Sequence, residues 1–276
     1  MDKKIIIFTS SEPRHDAFRI FLSNSKGIKI LKSYSEEGKK LNKKLEKENN
    51  EGTPHQINHL NMRYECEKEF FSNEIQSLKD KSNNEKCSTG YISSSDCLSE
   101  INNLQPDIIV VYGSSLIKGP ILKQYENRIL NVHLGLSPYY RGSGTNFFPF
   151  VENEPEYAGA TFMFLDEGVD TGQIIHQIRP RILQNDNIHQ IGTRLIYDMF
   201  KVYLQIILNY TKIEKITLSN IQKKRLVYKL KDFTPETLKR LNKNFEKCMI
   251  SEYLKNKTER DKQVPIQKQK WINELL

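Results

Sequence analysis

The stretch Asn131-Val132-His133-Leu134-Gly135-Leu136-Ser137-Pro138-Tyr139-Tyr140-Arg141-Gly142 gathers reactive side chains at the end of an apolar run. In an extended chain, residues two apart project from one face, so Asn131 and His133 point the same way. A carboxamide beside an imidazole suits acyl chemistry, the amide donating to an oxyanion while the histidine handles a proton. Further on, Asp166-Glu167-Gly168-Val169-Asp170-Thr171-Gly172 is a glycine-bracketed loop with three acids, any of which could orient or charge-stabilise His133. For an anionic partner, Arg141 beside Gly142 and Gly144 offers a bidentate fork where main chain can approach. Arg14-His15, at a predicted helix start, is a second candidate anion site. Tyr139, Tyr140, Phe147 and Phe148 could stack on a base or sugar. Among six histidines one HxxxH pair occurs, His55 and His59. It lacks the glutamate of HExxH and follows Pro54, so we expect a surface or structural role and no metal site.

These groups need a scaffold, and the apolar pattern supplies one. Lys4–Thr9, Ile28–Leu31, Asp107–Tyr112, Arg128–His133 and Gly159–Leu165 read as strands, most as continuous buried runs, with a shorter strand at Gly90–Ser93. Helical spacing predicts helices over Arg14–Leu22, residues 59–78, Ser99–Leu104 and Asn187–Asn209. Ser33–Asn50 reads as a solvated helix or mobile loop. Short segments at Lys215–Leu218 and Leu226–Leu230 precede a helix from Pro235 to about Lys255. Strands alternating with helices predict an α/β fold, a Rossmann-like parallel sheet in three layers. We divide the chain into a catalytic domain, residues 1–205, and a small basic C-terminal extension, residues 206–276. Open parallel sheets bind ligands beyond the carboxyl ends of their strands, where Asn131 and His133 fall. Neither GxGxxG after the first strand nor GxxxxGK[ST] occurs, which disfavours NAD-type and P-loop chemistry.

The 276 residues carry a net charge of +8, unevenly placed: residues 201–276 are net +10 and the rest net −2. A basic tail could meet nucleic acid, an anionic membrane or an anionic substrate. No basic–aromatic interleaving accompanies it, so a lysine-rich solvated surface is the expectation and a nucleic-acid partner is not. No apolar run suffices for a membrane span and no signal peptide is visible. The four cysteines show no CxxC spacing, which fits a reducing cytoplasm.

Asn131-Val132-His133, then Leu136-Ser137-Pro138-Tyr139-Tyr140-Arg141-Gly142, then Asp166-Glu167-Gly168-Val169-Asp170-Thr171-Gly172, together resemble the formyltransferase family that uses 10-formyltetrahydrofolate. That family includes glycinamide ribonucleotide transformylase, methionyl-tRNA formyltransferase and the sugar N-formyltransferases. Leu134-Gly135 replaces the usual Pro-Ser, and with Tyr139–Asn146 this looks like the branch related to GDP-perosamine N-formyltransferase. The resemblance covers roughly residues 100–205. It implies catalytic roles for Asn131 (oxyanion donor), His133 (oxyanion partner or proton shuttle) and Asp170 (orienting His133, proton transfer through water). It also implies a folate site on the loops carrying Tyr112, Gly113, Leu116 and Lys118, and Asp166, Glu167 and Val169. Arg14, His15, Tyr140, Arg141 and Gly144 are the candidate contacts to the acceptor. The implied acceptor is a nucleotide-linked amino sugar, either GDP-perosamine or a dTDP-4-amino-4,6-dideoxy sugar destined for O-antigen. The alternative acceptor is methionyl-tRNA. The resemblance further implies a homodimer and no metal.

Overall fold

Ile5, Ile6, Ile7 and Phe8 are wholly buried, the condition of a central strand covered on both faces. Ile5 and Ile7 pack into one core while Ile6 and Phe8 pack into another, as the alternation of a strand dictates. The computed structural model describes residues 2–37, 53–214 and 226–273. Strands β1 (Lys3–Thr9), β2 (Ile28–Glu37), β3 (Asn84–Ser88), β4 (Ile108–Tyr112) and β5 (Ile129–His133) pair in parallel. After β6 (Tyr140–Gly142), β7 (Ala160–Phe164) and β8 (Ile174–Ile178) add on antiparallel, giving the order β3-β2-β1-β4-β5-β7-β8. The sheet is therefore mostly, not wholly, parallel.

Helices α1 (Pro13–Ser23), α2 (Thr53–Ile75) and α6 (Ile188–Leu208) contribute apolar side chains to one core. Helices α3 (Ser95–Leu104) and α4 (Pro120–Gln124) contribute to the other. Each fully buried Ile or Phe contributes about 1.5–3 kcal/mol of transfer free energy to this arrangement. Asn187 caps α6, its side chain accepting from the His189 and Gln190 amides. Strand β2 runs past Leu31 to Glu37, so residues 33–37 of the expected loop are strand; residues 38–50 and Lys215–Leu218 lie outside the described residues. The short strand expected at Gly90–Ser93 sits at 84–88, and Tyr91–Ser93 is a 3₁₀ turn after Gly90 (φ +91°). The long C-terminal helix is broken at Cys248 (φ +62°) into α7 (Pro235–Glu246) and α8 (Met249–Lys255).

The division after residue 205 falls inside α6. Leu238, Leu241, Ile250 and Tyr253 of the tail share a third core with Leu136, Tyr139, Tyr140 and Phe148, the last in the short helix α5 (Phe148–Val151). Strand β9 (Leu226–Tyr228) pairs with β6. No helix among the described residues is long and apolar enough to cross a membrane.

Candidate active site

In β5, Leu130 and Val132 fill one core, which turns Asn131 and His133 to the opposite side. The parallel register sets Asn131 beside Val111, just before the loop that follows β4. Both strand ends thus open at the carboxyl edge of the sheet, onto a cavity of about 710 Å³. Asp170 reaches the same cavity from the loop joining β7 to β8.

His133 is 8% exposed and Asp170 12%, and their Nδ1 and Oδ1 atoms stand 3.2 Å apart. The other carboxylate oxygen accepts from the Gly142 amide at 3.0 Å. On the far side of the ring, Nε2 lies 3.3 Å from the Tyr140 carbonyl. Burial lowers the imidazole pKa below its ordinary value, while the Asp170 charge and the Tyr140 carbonyl pull it up. Burial thus favours the neutral ring, and the Asp170 carboxylate at Nδ1 and the Tyr140 carbonyl at Nε2 both stabilise the imidazolium when a proton arrives. Gly135 leaves the ring its space, for a Cβ there would stand 2.6 Å from Nε2 and 2.7 Å from Thr145. Asn131 is half-buried, and its carboxamide makes no hydrogen bond among the described residues.

Of the other residues singled out in the sequence, Tyr112, Gly113, Leu116, Val169, Arg14, His15 and Gly144 also line the cavity, whereas Lys118, Asp166, Glu167, Tyr140 and Arg141 do not. Asp166 braces its own loop, accepting from the Gly168 amide at 3.0 Å and the Thr171 hydroxyl at 2.8 Å. Lys118 and Glu167 are exposed. Tyr140 is wholly buried, donates to Glu154 at 2.9 Å and lies parallel to Tyr228. The tail roofs Tyr140 and Tyr139, whose hydroxyl donates to the Pro265 carbonyl, so these rings are core. Arg141 is half-buried in β6. Arg14 is committed to the buried carboxylate of Glu67, at 2.7 and 2.9 Å. His15 is buried and accepts from the Glu12 amide through Nδ1, its pKa well below normal because of burial and three nearby guanidinium groups.

Several groups at the site escaped the sequence reading. His59, Arg63 and Glu67 recur every fourth residue, so one face of α2 turns polar side chains into the cavity, a spacing that was visible in the sequence. His189 and Thr193 do the same on α6. The rings of His59 and His189 are 4.6 Å apart, with pKa values pushed down to about 3 and about 4, chiefly by burial. Glu36, 2% exposed at the end of β2, accepts from the Ser115 amide and hydroxyl and from the Gly90 amide. It pins the loop after β4 from behind, and nothing in its local sequence distinguishes it from a surface glutamate.

A carboxamide, an imidazole and a carboxylate around one cavity at the carboxyl edge of such a sheet are groups chemically suited to acyl-group transfer. The chain belongs to the formyl transferase family, whose model matches residues 29–207. Among curated proteins, it is 36% identical over 109 residues to a methionyl-tRNA formyltransferase of Desulforamulus reducens, covering 39% of this chain and 34% of that one. It is 26% identical over 121 residues to a chloroplastic phosphoribosylglycinamide formyltransferase of Arabidopsis thaliana, covering 42% and 41%. The matched stretch thus spans only about a third to two-fifths of these relatives. Among solved structures, phosphoribosylglycinamide formyltransferase from Streptococcus pneumoniae superposes with TM-score 0.51 at 20% identity, covering 76% of this chain and 99% of that one. A sugar N-formyltransferase from a Shewanella species superposes with TM-score 0.53 at 14% identity, covering 84% and 78%. At these identities the likeness is one of fold.

Proposed function

We propose that this chain moves the formyl group of 10-formyltetrahydrofolate to the amine of a nucleotide-linked amino sugar, such as GDP-perosamine or a dTDP-4-amino-4,6-dideoxy sugar. The observation that carries the chemistry is the convergence of Asn131, His133 and Asp170 on one cavity, with imidazole and carboxylate 3.2 Å apart. The donor supplies an already activated formyl carbon, so the reaction needs no metal. Asn131 donates to the formyl oxygen, where negative charge grows as the amine nitrogen bonds to carbon. His133, neutral and buried, takes the proton released by that nitrogen and returns one to the folate nitrogen as its bond to the formyl carbon breaks. Asp170 holds the ring and offsets its transient positive charge.

The residues fit a folate. Main chain of the loops after β4 and β7 lines the cavity, and Leu116 (45% exposed) and Val169 (52% exposed) offer apolar faces beside it. Such a wall suits a flat ring with a polar edge. The sugar acceptor is supported by the Leu134-Gly135 and Tyr139–Asn146 variant of the motif, with its product passing into surface polysaccharide. A second reading, methionyl-tRNA as acceptor, is favoured by the 36% identical stretch and by the net charge of +10 over residues 201–276. Incubation with 10-formyltetrahydrofolate and a panel of GDP-, dTDP- and UDP-linked 4-amino sugars, beside charged initiator tRNA, decides by mass spectrometry. The expected result is formylation of one nucleotide sugar. Formylation of the aminoacyl-tRNA alone, with steep salt dependence, would reverse the ranking.

A further inference from the structure

A second cavity of about 140 Å³ adjoins the first, sharing with it His59, Arg63, Ser143, Gly144 and Phe147. It is too small for a whole substrate and fits as an annex to the larger space. Its remaining wall comes partly from the tail, as Lys229, Leu230 and Phe233. The rings of His59, Phe147 and Phe233 cluster there, with centroids 5.3–5.8 Å apart.

Arg63 stands where the two cavities meet, and it differs from Arg14 in one respect. Arg14 is tied down by two short bonds from Nη1 to Glu67. Among the described residues Arg63 holds only loose ion pairs, its Nη2 3.5 Å from Glu12 and its Nε 3.7 Å from Glu67. That Nε is buried and has no hydrogen-bond partner among the described residues. A guanidinium carries five donors, and leaving them unused in a half-buried site costs free energy that an incoming anion recovers. Lys229 adds a second cation on the annex wall and makes no ion pair with a described residue. The Ser143–Gly144 main chain, common to both cavities, links this corner to Gly142, whose amide holds Asp170. A bound molecule can thus reach from the annex to His133.

We infer that Arg63 and Lys229 take the diphosphate of a nucleotide-linked acceptor, and that the His59–Phe147–Phe233 rings take its base. This rests on the nucleotide-sugar reading above and adds to it a role for the tail, which completes the acceptor site. Guanidinium matches phosphate oxygens in a fork, and any base can stack on an aromatic face. The anion competes with Glu12 for Nη2, so Lys229 supplies the attraction that Glu12 partly cancels.

Calorimetric titration of the full chain with GDP, UDP and dTDP, without formyl transfer, tests the subsite. Arg63→Met and Lys229→Met should each weaken the bound nucleotide by about tenfold or more, the loss expected for a charged hydrogen bond. Binding of 5-formyltetrahydrofolate should be unchanged in both. Lys229 is exposed, so its variant tests the idea even where Arg63→Met perturbs folding. Equal nucleotide affinity in wild type and both variants would overturn the subsite. So would weakened binding of folate polyglutamate with nucleotide binding intact, since the cations would then serve the folate tail. Arg63-dependent nucleotide binding in an enzyme that formylates no nucleotide sugar would uphold the subsite and sink the acceptor reading. Formylated nucleotide sugar with variant-insensitive nucleotide binding would do the reverse.

Discussion

Asp170→Asn keeps the shape of the side chain and removes the charge 3.2 Å from His133 Nδ1. At that separation, attraction to an imidazolium is about 1.3 kcal/mol if fully water-screened and about 5 kcal/mol at an effective dielectric of 20. His133 and Asp170 are 8% and 12% exposed, which places the pair in the upper part of that range, near 3–5 kcal/mol. With tenfold in rate for each ~1.4 kcal/mol, kcat/KM should fall by roughly a hundredfold to a few thousandfold. The assay is tetrahydrofolate release as a function of pH, with thermal unfolding to confirm an intact fold. Wild-type activity falls on the acid side as His133 protonates, at a pH below the ordinary histidine value because the ring is buried. The carboxylate raises that pKa, so Asp170→Asn should shift the acid limb to still lower pH. A kcat/KM within about threefold of wild type, with the limb unmoved, would refute the reasoning.

Asn131→Ala should lower kcat by about a hundred- to a thousandfold while thermal stability is kept, as expected for one lost oxyanion donor; single-turnover rates check this. Gly135→Ala places a methyl 2.6 Å from Nε2 and should cost a similar factor by displacing the ring, read as a kcat loss with little change in acceptor KM. Glu36→Gln should loosen the loop after β4 and raise the KM for the formyl donor about tenfold while leaving the acceptor's KM unchanged, as steady-state kinetics can show. His59 and His189 titrate near 3 and 4 in the folded chain and near 6.5 when unfolded, so the unfolded state binds more protons below pH 6.5. Stability should therefore drop as pH falls from about 6.5 toward 4, by up to about 1.4 kcal/mol per pH unit for each ring. His189→Asn should flatten the pH dependence of Tm.

The parts of the fold carried by continuous apolar runs were legible. Ile5–Phe8, Ile108–Tyr112 and the cap and stripe of Asn187–Leu208 need only burial and period to be recognised. Strand β8 was not, because His176 and Gln177 break its apolar run. Their partners lie in the tail, where the Gln269 amide donates to His176 Nδ1 and Gln267 pairs with Gln177. A polar residue whose partner is about 90 positions away reads locally as surface. The same holds for Tyr140, which looks like a stacking platform until β9 and Tyr228 cover it. Within the site, Asn131 and His133 follow from strand alternation alone. The choice of Asp170 among three acids came from the family signature. The structure gives that choice a geometric basis: φ of +52° turns the Asp170 carboxylate toward the imidazole, while Asp166 turns back on its own loop. Arg63 reads as solvated because a charged residue on a helix ordinarily is, and it is the packing of α2 against α6, the 142–147 loop and the tail that encloses it.

The most direct test of the central claim is a single-turnover reaction with an accepted amine, comparing wild type with His133→Asn and counting formamide and tetrahydrofolate together. The account predicts one of each per active site in wild type, and a rate lower by at least about a hundredfold in the variant with folate and acceptor still bound. Formamide produced by His133→Asn at the wild-type rate would contradict it.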